Sequence, residues 1–177
     1  MKSTIMSEKI EPFVKLRAIE PEDLDILYQI ENDISLWNVG CTNVPYSRYT
    51  LHNYIADCVN DIYTDRQLRM MIENDKAEVV GIIDIIDFEP RHQRAELGVV
   101  IKRSFRRQGY ASSAVRKIID YAKNILHLHQ VYVVADADNV GSIGLFSSLG
   151  FQSKDVLTDW LFSNGEYHNA IIMQRML

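Results

Sequence analysis

Residues 96–113, which read ELGVVIKRSFRRQGYASS, decide the fold of this chain. The apolar residues 97–101 predict a strand, and a basic loop follows at residues 102–108. From about residue 110 to residue 126, apolar residues recur at helical spacing and predict a long helix with one buried face. The segment therefore runs from a strand through a basic loop into a helix.

The junction between the loop and the helix predicts a phosphate-binding site. Helix N-termini present backbone N–H groups without partners and a partial positive charge, so they bind anions. Gly109 lets the backbone approach a phosphate closely, while Arg106 and Arg107 add charge and Ser112 adds a hydroxyl. Neither GxGxxG nor GxxxxGK(S/T) is present, and a merely solvated loop with a turn glycine is the competing interpretation.

The rest of the chain predicts a mixed α/β sheet in the order β-α-α-β-β-β-α-β-α-β-β. Three successive strands at 68–73, 79–88 and 95–101 are expected to form an antiparallel meander. The other predicted elements are a strand at 14–19, a helix from Pro21, a helix at 47–60, a strand at 130–135, a helix at 141–149 closed by Gly150, and a hairpin of strands 159–162 and 170–176 around Asn164 and Gly165.

Length and charge limit the functions open to the chain. Its 177 residues suit one compact domain. It has 19 Lys and Arg against 24 Asp and Glu, a net charge of −5, so the whole protein is not expected to bind nucleic acid. No apolar run has transmembrane length and the start lacks a secretory signal, so we expect no membrane partner and a cytoplasmic location. Cys41 and Cys58 form no CxxC pair and are expected to be reduced.

Two motifs resemble those of the GNAT acetyltransferase superfamily. Residues 106–111, RRQGYA, resemble its (Q/R)xxGx(G/A) acetyl-CoA motif. A second signature, an Asn-led helix ending in Gly-Phe, is similar to the pattern of Asn139, Ser142, Leu145, Phe146, Gly150 and Phe151. Within the family the chain is most similar to bacterial spermidine/spermine N-acetyltransferases of the SpeG type, through Ala95-Glu96 and residues 125–129 and 162–167. Ribosomal-protein N-terminal acetyltransferases have related patterns.

The resemblance implies a fold and a co-substrate. The fold is a mostly antiparallel mixed sheet, splayed between its fourth and fifth strands, with helices on both faces. It would occupy residues 13–177, after an N-terminal extension at 1–12. Acetyl-CoA would be the acetyl donor. By resemblance, the residues that contact it are Val99, Val100 and Ile101 through their backbone, then Arg106, Arg107, Gln108, Gly109, Tyr110, Ala111 and Ser112 around the pyrophosphate, and Asn139 and Ser142 at its far end.

The chemistry of amine acetylation assigns roles to two residues and leaves one role open. The reaction needs a neutral amine, an oxyanion donor and a proton for the departing thiolate. By resemblance, the backbone N–H near Val99 is the oxyanion donor. Glu96, three residues earlier on the same strand, is the candidate that accepts the amine proton, directly or through water; an ion pair with Arg94 or Arg91 is the alternative. The family's usual tyrosine acid is replaced by Phe146. The thiolate therefore leaves unprotonated, or water or another hydroxyl serves.

The amine acceptor is suggested by acidic residues. Six carboxylates could together form an acidic trough that attracts a cationic polyamine, with Trp37 lining it: Glu31, Asp33, Asp84, Asp87, Glu89 and Glu96. Solvated carboxylates are the alternative, above all for Glu31 and Glu89. Asn43 and Val44 precede Pro45-Tyr46, where SpeG-type proteins have an acidic pair for an allosteric polyamine.

Other acceptors and a non-catalytic role stay open. A protein N-terminus or another small amine is an alternative acceptor, and a non-catalytic acyl-CoA-binding module is an alternative function. A homo-oligomer is expected by resemblance. No metal site is expected, since His127 and His129 lack a third ligand at useful spacing. Trp160 is expected to be a packing anchor.

Overall fold

A computed structural model describes residues 11–36, 44–58 and 61–177 of the chain. These residues form a seven-stranded sheet whose strands are β1 Lys15–Arg17, β2 Leu68–Glu73, β3 Val79–Glu89, β4 Arg94–Ile101, β5 Gln130–Asp136, β6 Gln152–Ser163 and β7 Glu166–Met176. Their order in the sheet is β1-β2-β3-β4-β5-β7-β6. All neighbours are antiparallel except β4 and β5, which run parallel. The predicted mixed, mostly antiparallel sheet is confirmed.

Helices cover both faces of this sheet, as predicted. In the described ranges the α-helices are α1 Leu24–Glu31, α2 Arg48–Asp57, α3 Ile62–Asp65, α4 Tyr110–Asn124 and α5 Val140–Ser148. The apolar stripe of α4 and Phe146 of α5 share one core cluster with Ile83 and Ile85 of β3. On the opposite face, Ile30 of α1 and residues of α2 pack against Met71 and Ile82. None of these helices is both long and apolar enough to span a bilayer.

The β4–β5 junction is the feature that opens the sheet. The two strands pair at Arg94↔Gln130, Ala95↔Val131 and Glu96↔Tyr132, and no pairing follows. Beyond this point β4 stays paired with β3 as far as Ile101, while β5 stays paired with β7 as far as Asp136. The two halves of the sheet therefore separate after Glu96, which confirms the predicted splay between the fourth and fifth strands.

The C-terminal hairpin is longer than the sequence predicted. Its turn is at Asn164 and Gly165, both with positive φ (53° and 85°), as the type I′ signal indicated. However, β6 begins at Gln152 rather than at residue 159, because the register of the β6–β7 ladder shifts twice and hides the alternation of apolar and polar residues. The short α3, whose start is capped by the Asp61 side chain, was also not predicted.

Candidate active site

Three side chains meet where the sheet opens. Glu96 and Tyr132 are the last β4–β5 pair, and paired residues project to the same face of a sheet. The third side chain is Asp87, where β3 is irregular and the backbone adopts a φ of 48°. We call Asp87, Glu96 and Tyr132 the vertex cluster. Ala95 and Val131, which precede Glu96 and Tyr132 on their strands, belong to the core under α4. Because successive strand residues point to opposite faces, the vertex cluster lies on the face opposite α4.

The vertex cluster carries unusual protonation equilibria. Burial raises the pKa of Glu96 to about 7, and the negative charge of Asp87 adds to the shift, against a stabilising hydrogen bond from the Val134 backbone. Burial also raises the pKa of Tyr132 to about 12, with further contributions from the charges of Glu96 and Asp87. Near pH 7, Glu96 can therefore exchange a proton, while Tyr132 stays a neutral donor. The predicted ion pair of Glu96 with Arg94 or Arg91 does not occur in the described part of the chain.

The backbone of β4 presents hydrogen-bonding groups to the opening. The N–H of Lys102 donates to Val80 of β3 at 2.9 Å, and the carbonyl of Val100 faces Gly81, where a Cβ would lie 2.2 Å from it. Because alternate residues of a strand direct their backbone groups to opposite sides, Val99 and Ile101 face the side that β5 has left. By the same alternation the backbone groups of Val100, also predicted to contact acetyl-CoA, face β3, as its carbonyl beside Gly81 does.

The basic loop leads into a helix start without a side-chain cap. Gly109 is the N-cap of α4 with a φ of 93°, and no described side chain caps its N–H groups. Arg107 precedes it, also with a positive φ (63°), and its side chain is exposed. Arg106 instead turns back, and its Nε donates to the Ile101 carbonyl at 2.9 Å. Gln108 likewise donates to the Ser104 carbonyl, so the uncapped N–H groups and Arg107 are best placed to meet a phosphate.

The N-terminal stretch also reaches the start of α4. The Ser112 hydroxyl donates to a Glu11 carboxylate oxygen at 2.9 Å, and Arg116 Nε donates to the same oxygen at 3.0 Å. Pro12 packs so closely on Gly109 that a Cβ there would lie 2.9 Å from Pro12 Cδ. Ser112, predicted to contact the co-substrate, is therefore occupied by Glu11 in this structure.

Several predicted cofactor residues have structural partners of their own. Asn139 caps α5, where its side-chain oxygen accepts from the Ser142 N–H at 3.0 Å. The Tyr110 ring packs edge-on against Phe105, with centroids 5.9 Å apart. Phe146 is 4% exposed and packs on Phe151, with centroids 5.1 Å apart, so its position in the core offers no proton. Ala111 lies in the first turn of α4.

The predicted acidic trough is divided, because a cation lies within it. Arg69 of β2 pairs with both Glu31 and Asp84, and its Nε lies 2.8 Å from Asp84 Oδ1. Asp33 accepts from the Ser35 hydroxyl, which with the Ser35 N–H and the charges of Arg106 and Arg103 lowers its pKa. Of the predicted carboxylates, the structure brings together Asp87 and Glu96. Glu89 Oε1 lies 3.9 Å from Arg66 Nη1. A single trough of six carboxylates is therefore wrong, and Trp37 lies outside the described residues.

One group of possible metal ligands occurs in the described ranges. Asp136, Asp138 and His168 each bring a ligand atom within 4.8 Å of the others, at the exposed end of β5. His168 Nδ1 lies 3.8 Å from Asp138 Oδ2. His127 and His129, singled out from the sequence, do not join this group.

Known proteins match most of the chain. A family model described as an acetyltransferase (GNAT) domain matches residues 14–152. The spermidine N(1)-acetyltransferase of Escherichia coli (strain K12) is 30% identical over 160 residues, 90% of this chain and 84% of that protein. Spermidine N-acetyltransferase from Vibrio cholerae in complex with CoA and spermine gives a TM-score of 0.83 at 24% identity, covering 92% of this chain and 95% of that one. A dodecameric structure of spermidine N-acetyltransferase from that organism gives a TM-score of 0.77 at 24% identity, covering 92% and 93%. The structural matches confirm the fold.

Proposed function

The chain belongs to the GNAT acetyltransferase family, and we propose that it acetylates a primary amine of a polyamine such as spermidine, with acetyl-CoA as donor. The observation that carries the proposal is the carboxylate pair of Asp87 and Glu96 at the opening of the sheet. Among the described residues, no lysine or arginine forms an ion pair with either. Two adjacent carboxylates without a resident cation attract an ammonium group.

The opposite side of the junction suits the donor. Acetyl-CoA supplies an activated acetyl thioester. The uncapped N–H groups at the start of α4 and the exposed Arg107 hold its pyrophosphate. The backbone groups of Val99 and the N–H of Ile101, which face the gap between β4 and β5, form hydrogen bonds with the amides of its extended arm. The Ile101 carbonyl already accepts from Arg106 Nε.

The vertex cluster and the β4 backbone then carry out the acetyl transfer. Glu96, which is ionised above its raised pKa, takes one proton from the ammonium group and releases it to solvent, so that the amine is neutral and Glu96 is ionised again. The amine nitrogen forms a bond to the acetyl carbon, and the bond from that carbon to sulfur breaks. Glu96 takes the second proton, which the nitrogen loses as the amide forms. The Val99 N–H donates to the carbonyl oxygen while negative charge develops on it. Asp87 holds the ammonium near Glu96 before the proton moves.

The ion pairs of Arg69 confine the attraction for a cationic acceptor to the vertex cluster. Glu31 and Asp84 lie on the same sheet face but already share a cation. Their paired charges attract a cationic acceptor less strongly than two unpaired carboxylates would. One ammonium of the acceptor is therefore drawn to Asp87 and Glu96 rather than spread along the face.

The active form in this proposal is a homo-oligomer. The edge strand β6 and its neighbour β7 present exposed aromatic side chains, Trp160 (61% exposed), Phe162 and Tyr167. Trp160 is thus not a packing anchor within the single chain, contrary to the sequence-based prediction. Contiguous exposed aromatic surface is typical of interfaces, and an open sheet edge invites pairing. Light scattering should give a mass that is a multiple of 20.4 kDa, and a monomer at micromolar concentration would contradict it.

The decisive experiment measures thiol release from acetyl-CoA with a panel of amines. We expect turnover with spermidine and spermine at higher kcat/KM than with amino acids or N-terminal peptides. A preference for a peptide or an amino acid would support the acetyltransferase activity but contradict the proposed polyamine acceptor. Saturable coenzyme A binding without turnover on any amine would instead support a non-catalytic acyl-CoA-binding module.

A further inference from the structure

The source of the proton for the departing thiolate is the chemical step that the family motif leaves unfilled. Phe146 occupies the position of the usual tyrosine acid, and its ring is buried against Phe151. A phenyl ring has no exchangeable proton. Unless the thiolate departs unprotonated, a different O–H group in the opening of the sheet has to serve.

Tyr132 provides that group by its position in the sheet. Its partner across the β4–β5 ladder is Glu96, and the ladder ends at this pair. Both side chains therefore project from the two strands at the point where they separate. Tyr110, which lies in the acetyl-CoA motif, instead packs on Phe105 at the start of α4. Tyr132 is thus the tyrosine that shares the opening with the proton acceptor.

Asp87 completes the arrangement from the third strand. Its carboxylate interacts with the Tyr132 hydroxyl and lies close enough to Glu96 to affect that group's charge. Arg94, at the other end of the three-pair ladder, is the cation whose charge acts on Tyr132. The hydroxyl is consequently held beside two carboxylates rather than pointing freely into solvent.

We propose that the Tyr132 hydroxyl protonates the departing thiolate, in the role that the residue at position 146 cannot fill. The inference rests on the acetyl transfer proposed above. As the carbon–sulfur bond breaks, its electron pair stays on sulfur, which takes the Tyr132 proton. Glu96, carrying the proton that the nitrogen lost as the amide formed, passes it to the Tyr132 oxygen. Of the two protons that the ammonium nitrogen loses, one has gone to solvent and one has gone to sulfur, and both side chains regain their starting states.

The high pKa of Tyr132 fits a relay rather than a free tyrosinate. Burial and the two neighbouring carboxylates make the ionised phenol unfavourable. A proton therefore leaves Tyr132 most readily when Glu96 supplies another at the same time. The relay also returns Glu96 to its ionised form, ready for the next amine.

The test is Tyr132→Phe in the full-length protein, assayed with acetyl-CoA and the best amine of the panel. Because the ring stays and the proton is lost, kcat should fall about 100-fold while both KM values stay within about two-fold. The melting temperature should not change. The matched control is Tyr121→Phe on α4, at the opposite face of the sheet, which should keep wild-type kcat.

The outcomes separate this inference from the function on which it rests. A wild-type enzyme without turnover on any amine overturns both. A wild-type enzyme that turns over, with a Tyr132→Phe variant within about three-fold of it in kcat, overturns the role of Tyr132 alone. A fall in kcat matched by a lower melting temperature or by a comparable rise in KM makes Tyr132 structural, and also overturns the proposal.

Discussion

Two pairs of carboxylates on the same sheet face have different surroundings. Glu31 and Asp84 share the guanidinium of Arg69, whereas Asp87 and Glu96 have each other and Tyr132. Asp84 and Asp87 are three residues apart on one strand, so sequence position does not distinguish them. The partner decides the role: a carboxylate paired with arginine stabilises the fold, and a carboxylate left beside another is available for proton transfer and cation binding.

The largest expected effect comes from removing the cation of the first pair. Arg69→Met leaves Glu31 and Asp84 half-buried without their guanidinium, and should lower the free energy of unfolding by about 3–5 kcal/mol. Urea denaturation followed by circular dichroism measures it. The control is Arg48→Met, whose pair with Asp25 is exposed and should be worth no more than about 1 kcal/mol. Equal losses in the two variants would mean that Arg69 pairs no more strongly than a surface residue.

The second prediction removes the proton acceptor of the other pair. Glu96→Gln keeps the size of the side chain but cannot take the amine proton, so kcat should fall about 100-fold. Acetyl-CoA affinity, measured by calorimetry, should be retained, because the phosphate-binding elements lie at the start of α4. An unchanged kcat would show that the amine reaches the vertex already neutral or loses its proton elsewhere.

The two pairs also explain how far sequence reasoning reaches. The phosphate-binding loop is contiguous, and Gly109 together with the following helix is visible as a local pattern. The vertex cluster is assembled from three strands, and Tyr132 joins it through the β4–β5 register, which has no local signal. A register slip of one residue would turn its side chain to the other face. Only knowledge of the parallel pairing could have singled it out.

Arg69 and Trp160 show that ion partners and burial are also hard to predict from sequence. The sequence offers no reason to link Arg69 with Glu31, 38 residues earlier, until α1 is placed over β2. Trp160 reads as a core residue by composition, yet it lies on an edge strand and is 61% exposed. Local elements follow from periodicity and caps, whereas ion partners and burial depend on the tertiary arrangement of those elements.

The third prediction concerns the effect of the Asp87 charge on the pKa of Glu96. Glu96 must be ionised to accept a proton, so wild-type kcat/KM should rise with pH up to about 7 and then level off. The negative charge of Asp87 contributes to this raised pKa, so Asp87→Asn should move the rise to lower pH. Asp84→Asn is the control, since Asp84 is not among the groups that shift Glu96. The pH dependence of kcat/KM measures both variants, and an unshifted profile in Asp87→Asn would separate Asp87 from Glu96.

The smallest effect is on stability, and its sign differs between the two pairs. The pKa of Glu96 is raised above its ordinary value of 4.5, so the folded state holds its proton more tightly than the unfolded state. The contribution of Glu96 to stability is therefore largest below about pH 4.5 and is lost as the pH rises through about 7. Glu96→Gln removes this fall, so the variant should match wild type at pH 4.5 and exceed its melting temperature at pH 8.

Asp84→Asn should do the reverse at pH 8, because a neutral amide replaces the carboxylate whose two oxygens accept from Arg69 Nε and Nη2 at 2.8 and 3.0 Å. Thermal melts of both variants at pH 4.5 and pH 8 give the comparison. If both variants gained stability at pH 8, Arg69 would not compensate the burial of Asp84. If both variants lost stability at pH 8, the ionised Glu96 would have a stabilising partner. Burial would then not account for a Glu96 pKa near neutral pH.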